Sequence, residues 1–176
     1  MVDVIFEQEW QESGPDAEHY LESLYKDAAI QMVNNAVERM RASTGTLITE
    51  YELELDGGTV NIEFDHAELE NAGKGPVRIQ RFRTGRRTQS ENKKEIYGLL
   101  CMAAGELSGG ADFHVETLYL RDNSVDAISI TEKDVQKRVD FYKNSMKNIA
   151  DGLFPPDPDD FRCPRCAHYF TCPAAN

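Results

Sequence analysis

Several things are missing from this 176-residue chain, and each absence removes a class of function. No apolar run approaches the ~20 residues needed to cross a bilayer, so no membrane partner is expected. The opening MVDVIFEQEWQESG has no basic region followed by an apolar stretch, so it is not read as a secretory signal. Both absences point to the cytoplasm, where thiols stay reduced. No G-x-x-x-x-G-K-[ST] pattern occurs, which excludes a P-loop motor. Basic residues are scarce: 19 Lys and Arg stand against 31 Asp and Glu, a formal charge of -12. Such a chain repels nucleic acid unless its cations are segregated onto one surface.

They are segregated. Between Lys74 and Lys94 lie Lys74, Arg78, Arg81, Arg83, Arg86, Arg87, Lys93 and Lys94, opposed by Glu91 alone. That island carries +7 and leaves -19 to the rest of the chain. Arg86, Arg87, Lys74 and Lys94 fall in loops or at a helix start and read as contacts to DNA phosphates, against the plainer reading of a solvated surface.

The length and an apolar fraction of 40% suit one domain, residues 1–176, closed around a sheet. Residues 1–13 read as an N-terminal arm in which Phe6 and Trp10 serve as anchors. The spacing of Leu21, Leu24, Ala28, Met32, Ala36 and Met40 predicts a helix over 14–42, entered through Ser13 and Asp16. TLITEYELEL alternates, with Leu47, Tyr51, Leu53 and Leu55 on one face. Asp56-Gly57-Gly58 then turns the chain into a return strand, residues 59–69, whose inward residues are Val60, Ile62 and Phe64. VRIQRF is a third strand. A helix is predicted over 90–107, strands over 112–120 and 124–130, and a last helix from Thr131 with Val135, Val139, Tyr142, Met146 and Ile149 as its spine. The order α-β-β-β-α-β-β-α implies an α/β fold with a mixed central sheet flanked by helices.

A tail over 152–176 is rich in Pro and Asp and ends in Cys163-Pro-Arg-Cys166 and Cys172, a Cys-x2-Cys-x5-Cys pattern. Two thiolates two residues apart can grip one ion from a single turn, so zinc or an iron–sulfur cluster is the expected cofactor, with vestigial thiols as the plainer reading. The fourth ligand would be Cys101, which sits in a helical apolar stripe, or His168.

These features together resemble a family. The helical entry FEQEWQESGPDAEHYLESLYKDAA, the hairpin, RFRTG, KKEIYGLLCMAA and the cysteine tail are similar to the RecB-like branch of the PD-(D/E)xK nuclease superfamily. More narrowly, the chain resembles the nuclease-type domain at the C-terminal end of UvrD/Rep-type DNA helicases. The resemblance implies a restriction-endonuclease-like fold, with DNA and a helicase motor domain or subunit as partners. In active relatives two acids hold magnesium and a lysine stabilises developing charge. Here Arg81 stands at the second acid and Arg83 at the lysine, while Thr84 and Gly85 are retained. The first acid is Asp65 if Phe64 fills the preceding apolar position, and otherwise Asn61 falls there. Lys93 replaces the helix's Gln, Tyr97 is kept, and His19 and Glu22 loosely match the first-helix His and Glu. The fourth cluster cysteine of relatives precedes the nuclease core, where this chain has none before Cys101.

A guanidinium offers only donors and cannot ligate magnesium, so no magnesium is expected at this position and no catalytic residue is assigned. The expectation is an inactive nuclease-like domain tied to a DNA helicase, binding DNA or serving as a structural or regulatory module in repair or recombination. Arg81 and Arg83 are expected to pair with Glu63 and Asp65 across the former metal pocket. Two alternatives stay open: an active metal-dependent exonuclease using an acid set such as Glu50, Glu63 and Asp65, and a protein-interaction module without DNA contact.

Overall fold

A computed structural model describes residues 2–16, 18–70, 75–153, 163–166 and 172. The N-terminal segment is helical, α1 (Val2–Ser13), and folds back on α2 (Glu22–Arg41). Five strands follow, with α3 (Ile96–Leu107) inside their sequence and α4 (Glu132–Ala150) after them. They are β1 (Thr46–Leu55), β2 (Gly58–Leu69), β3 (Val77–Arg83), β4 (Phe113–Tyr119) and β5 (Ser124–Ala127). Sheet order equals chain order, and only β3 and β4 run parallel, because α3 carries the chain across between them. This is the α/β fold with a mixed, helix-flanked sheet that the sequence implies, and it is consistent with a restriction-endonuclease-like architecture. Among the described residues no helix is long and apolar enough to cross a membrane.

The sheet has two unlike faces. Val77 and Ile79 of β3 point to the side where α3 and α4 pack, and with Leu53, Ile62, Val115, Leu99 and Val139 they form the apolar core. Gln80 and Arg78 point to the α2 side, where the contacts are polar. The α3–α4 seam is tight at Gly98. A Cβ added there would come within 2.6 Å of the Arg138 Cβ and 3.2 Å of the Val135 carbonyl oxygen.

Several expected boundaries and faces shift. The helix predicted over 14–42 begins at Glu22, and Ser13 ends α1 instead of capping α2. Gly14 closes α1 by donating to the Trp10 carbonyl, and two turns at Asp16 and His19 then let α1 and α2 lie together. The Trp10 indole donates to Glu22 at 2.7 Å, so Trp10 is an anchor, but onto α2 rather than the sheet. Leu24, Ala28 and Met40 are exposed, because this face of the sheet meets α2 through polar residues.

In β1 the register shifts between Ile48 and Glu50. The alternation flips there, so Ile48 packs on the core and Leu47 is exposed. The hairpin forms as expected, with Gly57 at φ +104°, a conformation that favours glycine. The predicted helix over 90–107 is a 3-10 turn, Glu91–Lys93, followed by α3. Thr131 caps α4 by accepting the Asp134 amide, and Val139 is fully buried, but Ile149 at the end of the predicted spine is exposed.

Candidate functional site

The site assembles where β2 separates from β3. Their ladder ends at the His66–Gln80 pair, which frees the amide of Phe82. Asp65 takes that amide at 2.9 Å. Phe64 packs on the core. Asn61 lies opposite Glu52, and it and Asp65 are both exposed. Asp65, Glu63, Arg81 and Arg83 line one cleft of about 380 Å³ between β2, β3 and the start of α3.

The expected pairing of the arginines with Glu63 and Asp65 does not form. Arg81 and Arg83 follow the two-residue side-chain period of β3 and reach the same face, but their shared acid is Glu91 of the 3-10 turn. Arg81 Nη1 lies 3.3 Å and Arg83 Nε 3.4 Å from Glu91 Oε1. Lys94 Nζ takes the other oxygen at 2.6 Å. The Tyr97 hydroxyl lies 3.1 Å from Oε1 and 2.6 Å from Thr117 Oγ1, and the Arg81 guanidinium stands 5.6 Å above the Tyr97 ring. The Glu91 side chain is only 6% exposed. Burial pushes its carboxyl up, yet bonds from Lys94 and Tyr97 and the Arg83 charge outweigh that and hold it below the usual range. Burial, together with the Glu91 charge, raises the Tyr97 hydroxyl.

Glu91 and Thr117 are the residues that sequence reasoning missed. One signal for Glu91 was present, since it is the only carboxylate inside the basic island. Thr117 had none, because its role depends on β4 lying beside β3.

The island divides among three surfaces. Arg78 turns to the α2 face and meets Glu68 and Glu70, each at 3.5 Å. Nearby, Arg39 donates to Gln80, which donates to Glu116, and Ser43 donates to Glu68. Burial lowers the pKa of His66 on this face, and the Arg39 and Arg78 charges act in the same direction. Arg87 is engaged by Asp126, its Nε at 2.7 Å, although it is 63% exposed. Arg86 and Lys93 are exposed and make no ion pair among the described residues. Lys74 lies outside the described residues, as does His168.

His19 stacks on Tyr20 and Tyr25 in the α1–α2 turn, and Glu22 is taken by Trp10. Cys101 is buried in α3, where desolvation raises its thiol to about 11. Cys163 opens a 3-10 turn in which the Cys166 amide donates to its carbonyl. Among the described residues no three His, Cys, Asp or Glu side chains gather as a metal site.

The β3 positions therefore present donors, not acceptors. A divalent cation placed at Arg81 would meet positive charge, whereas an anion would find guanidinium N–H groups.

No protein-family model and no curated protein matches the chain. Among solved structures, the chain is similar to a protein from Eubacterium rectale described as "Putative exonuclease", at 10% identity and a TM-score of 0.44, over 97% of this chain and 74% of that one.

Proposed function

We propose that this chain is a catalytically inactive nuclease-like domain associated with a UvrD/Rep-type DNA helicase, where it contacts DNA or braces the assembly in repair or recombination. One observation carries the reading: Arg81 and Arg83, on the strand where the resembled family keeps an acid and a lysine, share buried Glu91 with Lys94. Ion pairs would hold that strand where a metal holds it in active relatives.

The test is an incubation of linear and single-stranded DNA with magnesium or manganese. No cleavage is expected, and EDTA-sensitive cleavage by the pure protein would overturn the inactive reading. The active alternative has a specific support, since Glu63 and Asp65 line the cleft and Glu50 lies opposite Glu63. DNA contact is tested separately by fluorescence anisotropy at low and moderate salt. Absence of binding at both would favour a protein-interaction module. For the tail, the Cys163–Cys166 turn supports a structural zinc or an iron–sulfur cluster. Metal analysis and a visible spectrum of anaerobically purified protein distinguish the two, and apo protein would leave the thiols vestigial.

A further inference from the structure

Arg87 and Lys94, two of the side chains first expected to touch phosphate, are engaged by Asp126 and Glu91. Of the eight lysines in the chain, Lys26, Lys94 and Lys143 also sit in ion pairs. Lys93, Lys133, Lys137 and Lys147 do not, among the described residues, and the first three border one open groove of about 1100 Å³ between the 3-10 turn and α4. Lys133, Lys137 and Phe141 occur at i, i+4 and i+8 of α4, so they form one ridge along the helix. Phe141 is 55% exposed, and its ring stands at 89° to that of Tyr142.

The groove wall is held in place. Arg138 Nη1 donates to the Asn92 and Lys94 carbonyls at 2.8 and 3.2 Å, fastening the 3-10 turn to α4. Glu95, Asp134 and Asp140 also line the groove and oppose an anion. Asp134 accepts from the Thr131 hydroxyl and Asp140 from the Gln136 amide, so both bend toward their own helix. Four cations against three acids make the groove net positive in a chain of -12.

We infer that this groove carries a single strand of nucleic acid, its phosphates along Lys93, Lys133 and Lys137 and one base stacked on Phe141. The inference rests on the DNA-contact reading above, and it moves that contact from the rim of β3 to α4. Lysines supply sequence-independent affinity, and an exposed aromatic in the same row favours unpaired bases over duplex.

The experiment measures binding of labelled oligothymidylate between about 50 and 200 mM salt. The variant carrying Lys93→Gln, Lys133→Gln and Lys137→Gln should lower the slope of log K against log salt by roughly 2, from about 0.7 per single-strand phosphate contact. Phe141→Ala should weaken binding by roughly 5- to 100-fold, the range for one stacked base. Lys147→Gln, on the last turn of the same helix, should change neither. All of these side chains are exposed or partly so, and circular dichroism checks that each variant folds.

If wild-type protein binds no nucleic acid, the DNA-contact reading falls and takes this inference with it. If wild type binds but the lysine variant matches it while Arg86→Gln weakens binding, DNA contact survives and the groove is overturned. Equal affinity for duplex, unaffected by Phe141→Ala, overturns the single-strand assignment. Loss of binding to an acidic peptide but not to oligothymidylate in the lysine variant overturns it in favour of a protein ligand.

Discussion

Substituting Glu91→Gln tests the central cluster most directly. The variant keeps the shape of the side chain and removes its charge, leaving Arg81, Arg83 and Lys94 facing one another around a nearly buried amide. Removing one member of a fully buried ion pair costs about 3–5 kcal/mol, whereas exposed pairs contribute about 0.2–1 kcal/mol. The Glu91 side chain is 6% exposed, but its cations are 25%, 35% and 42% exposed, so water screens their side of the cluster. The cost should fall between these limits, at about 2 kcal/mol at neutral pH. For a chain of this size that is a drop in Tm of roughly 4–8 °C.

The pH dependence gives a second readout. The folded Glu91 carboxyl titrates below its ordinary value of 4.5, so its contribution is complete above that pH and is lost as pH falls through the folded value. The gap in stability between wild type and Glu91→Gln should therefore close in acid. Urea unfolding followed by far-UV circular dichroism at neutral and acidic pH measures both effects. A double-mutant cycle with Arg83→Gln should give a coupling of about 0.5–3 kcal/mol. Unchanged stability at neutral pH, or a gap that persists below the acid transition, would refute the cluster as a stabilising element.

Three further outcomes follow from geometry. Gly98→Ala should destabilise the protein by roughly 1–2 kcal/mol in urea unfolding, although alanine is about 1 kcal/mol better in a helix, because the added Cβ would overlap Arg138. At pH 8 a thiol reagent should label exposed Cys166 in folded protein stripped of metal with a chelator and spare Cys101, whose thiol is raised to about 11, until denaturant is added; peptide mass mapping reads the sites. Thr131→Ala should cost about 1 kcal/mol in thermal unfolding, since Thr131 accepts the Asp134 amide and donates to its carboxylate.

Much of the fold was legible because local signals and tertiary packing agree. Asp56-Gly57 encodes its turn, Thr131 and Asp134 encode a helix start, and the alternation of Leu53 and Leu55 encodes a buried face. The failures have a common cause. Periodicity assumes an uninterrupted element, so it carried α2 through the Gly14–Pro15 break and ran β1 straight through the register shift at Ile48. The stripe chosen for α2 also assumed an apolar partner, whereas the sheet face beneath it offers His66, Glu68, Gln80 and Glu116.

The candidate site divides in the same way. A period of two places Arg81 and Arg83 on one face of a strand whatever surrounds it, so sequence alone determined that these cations act together. It also determined the order of elements, the mixed α/β class and the concentration of positive charge in one segment. Which acid answers those arginines was a tertiary decision. Side-chain pairing depends on distance in space, and only the approach of the 3-10 turn to β3 brings Glu91 to Arg81 and Arg83 and leaves Asp65 to the Phe82 amide. The same packing engages Arg87 and Lys94 and leaves Lys93, Lys133 and Lys137 around one groove, because ion pairs depend on where elements cross rather than on where residues fall in the chain.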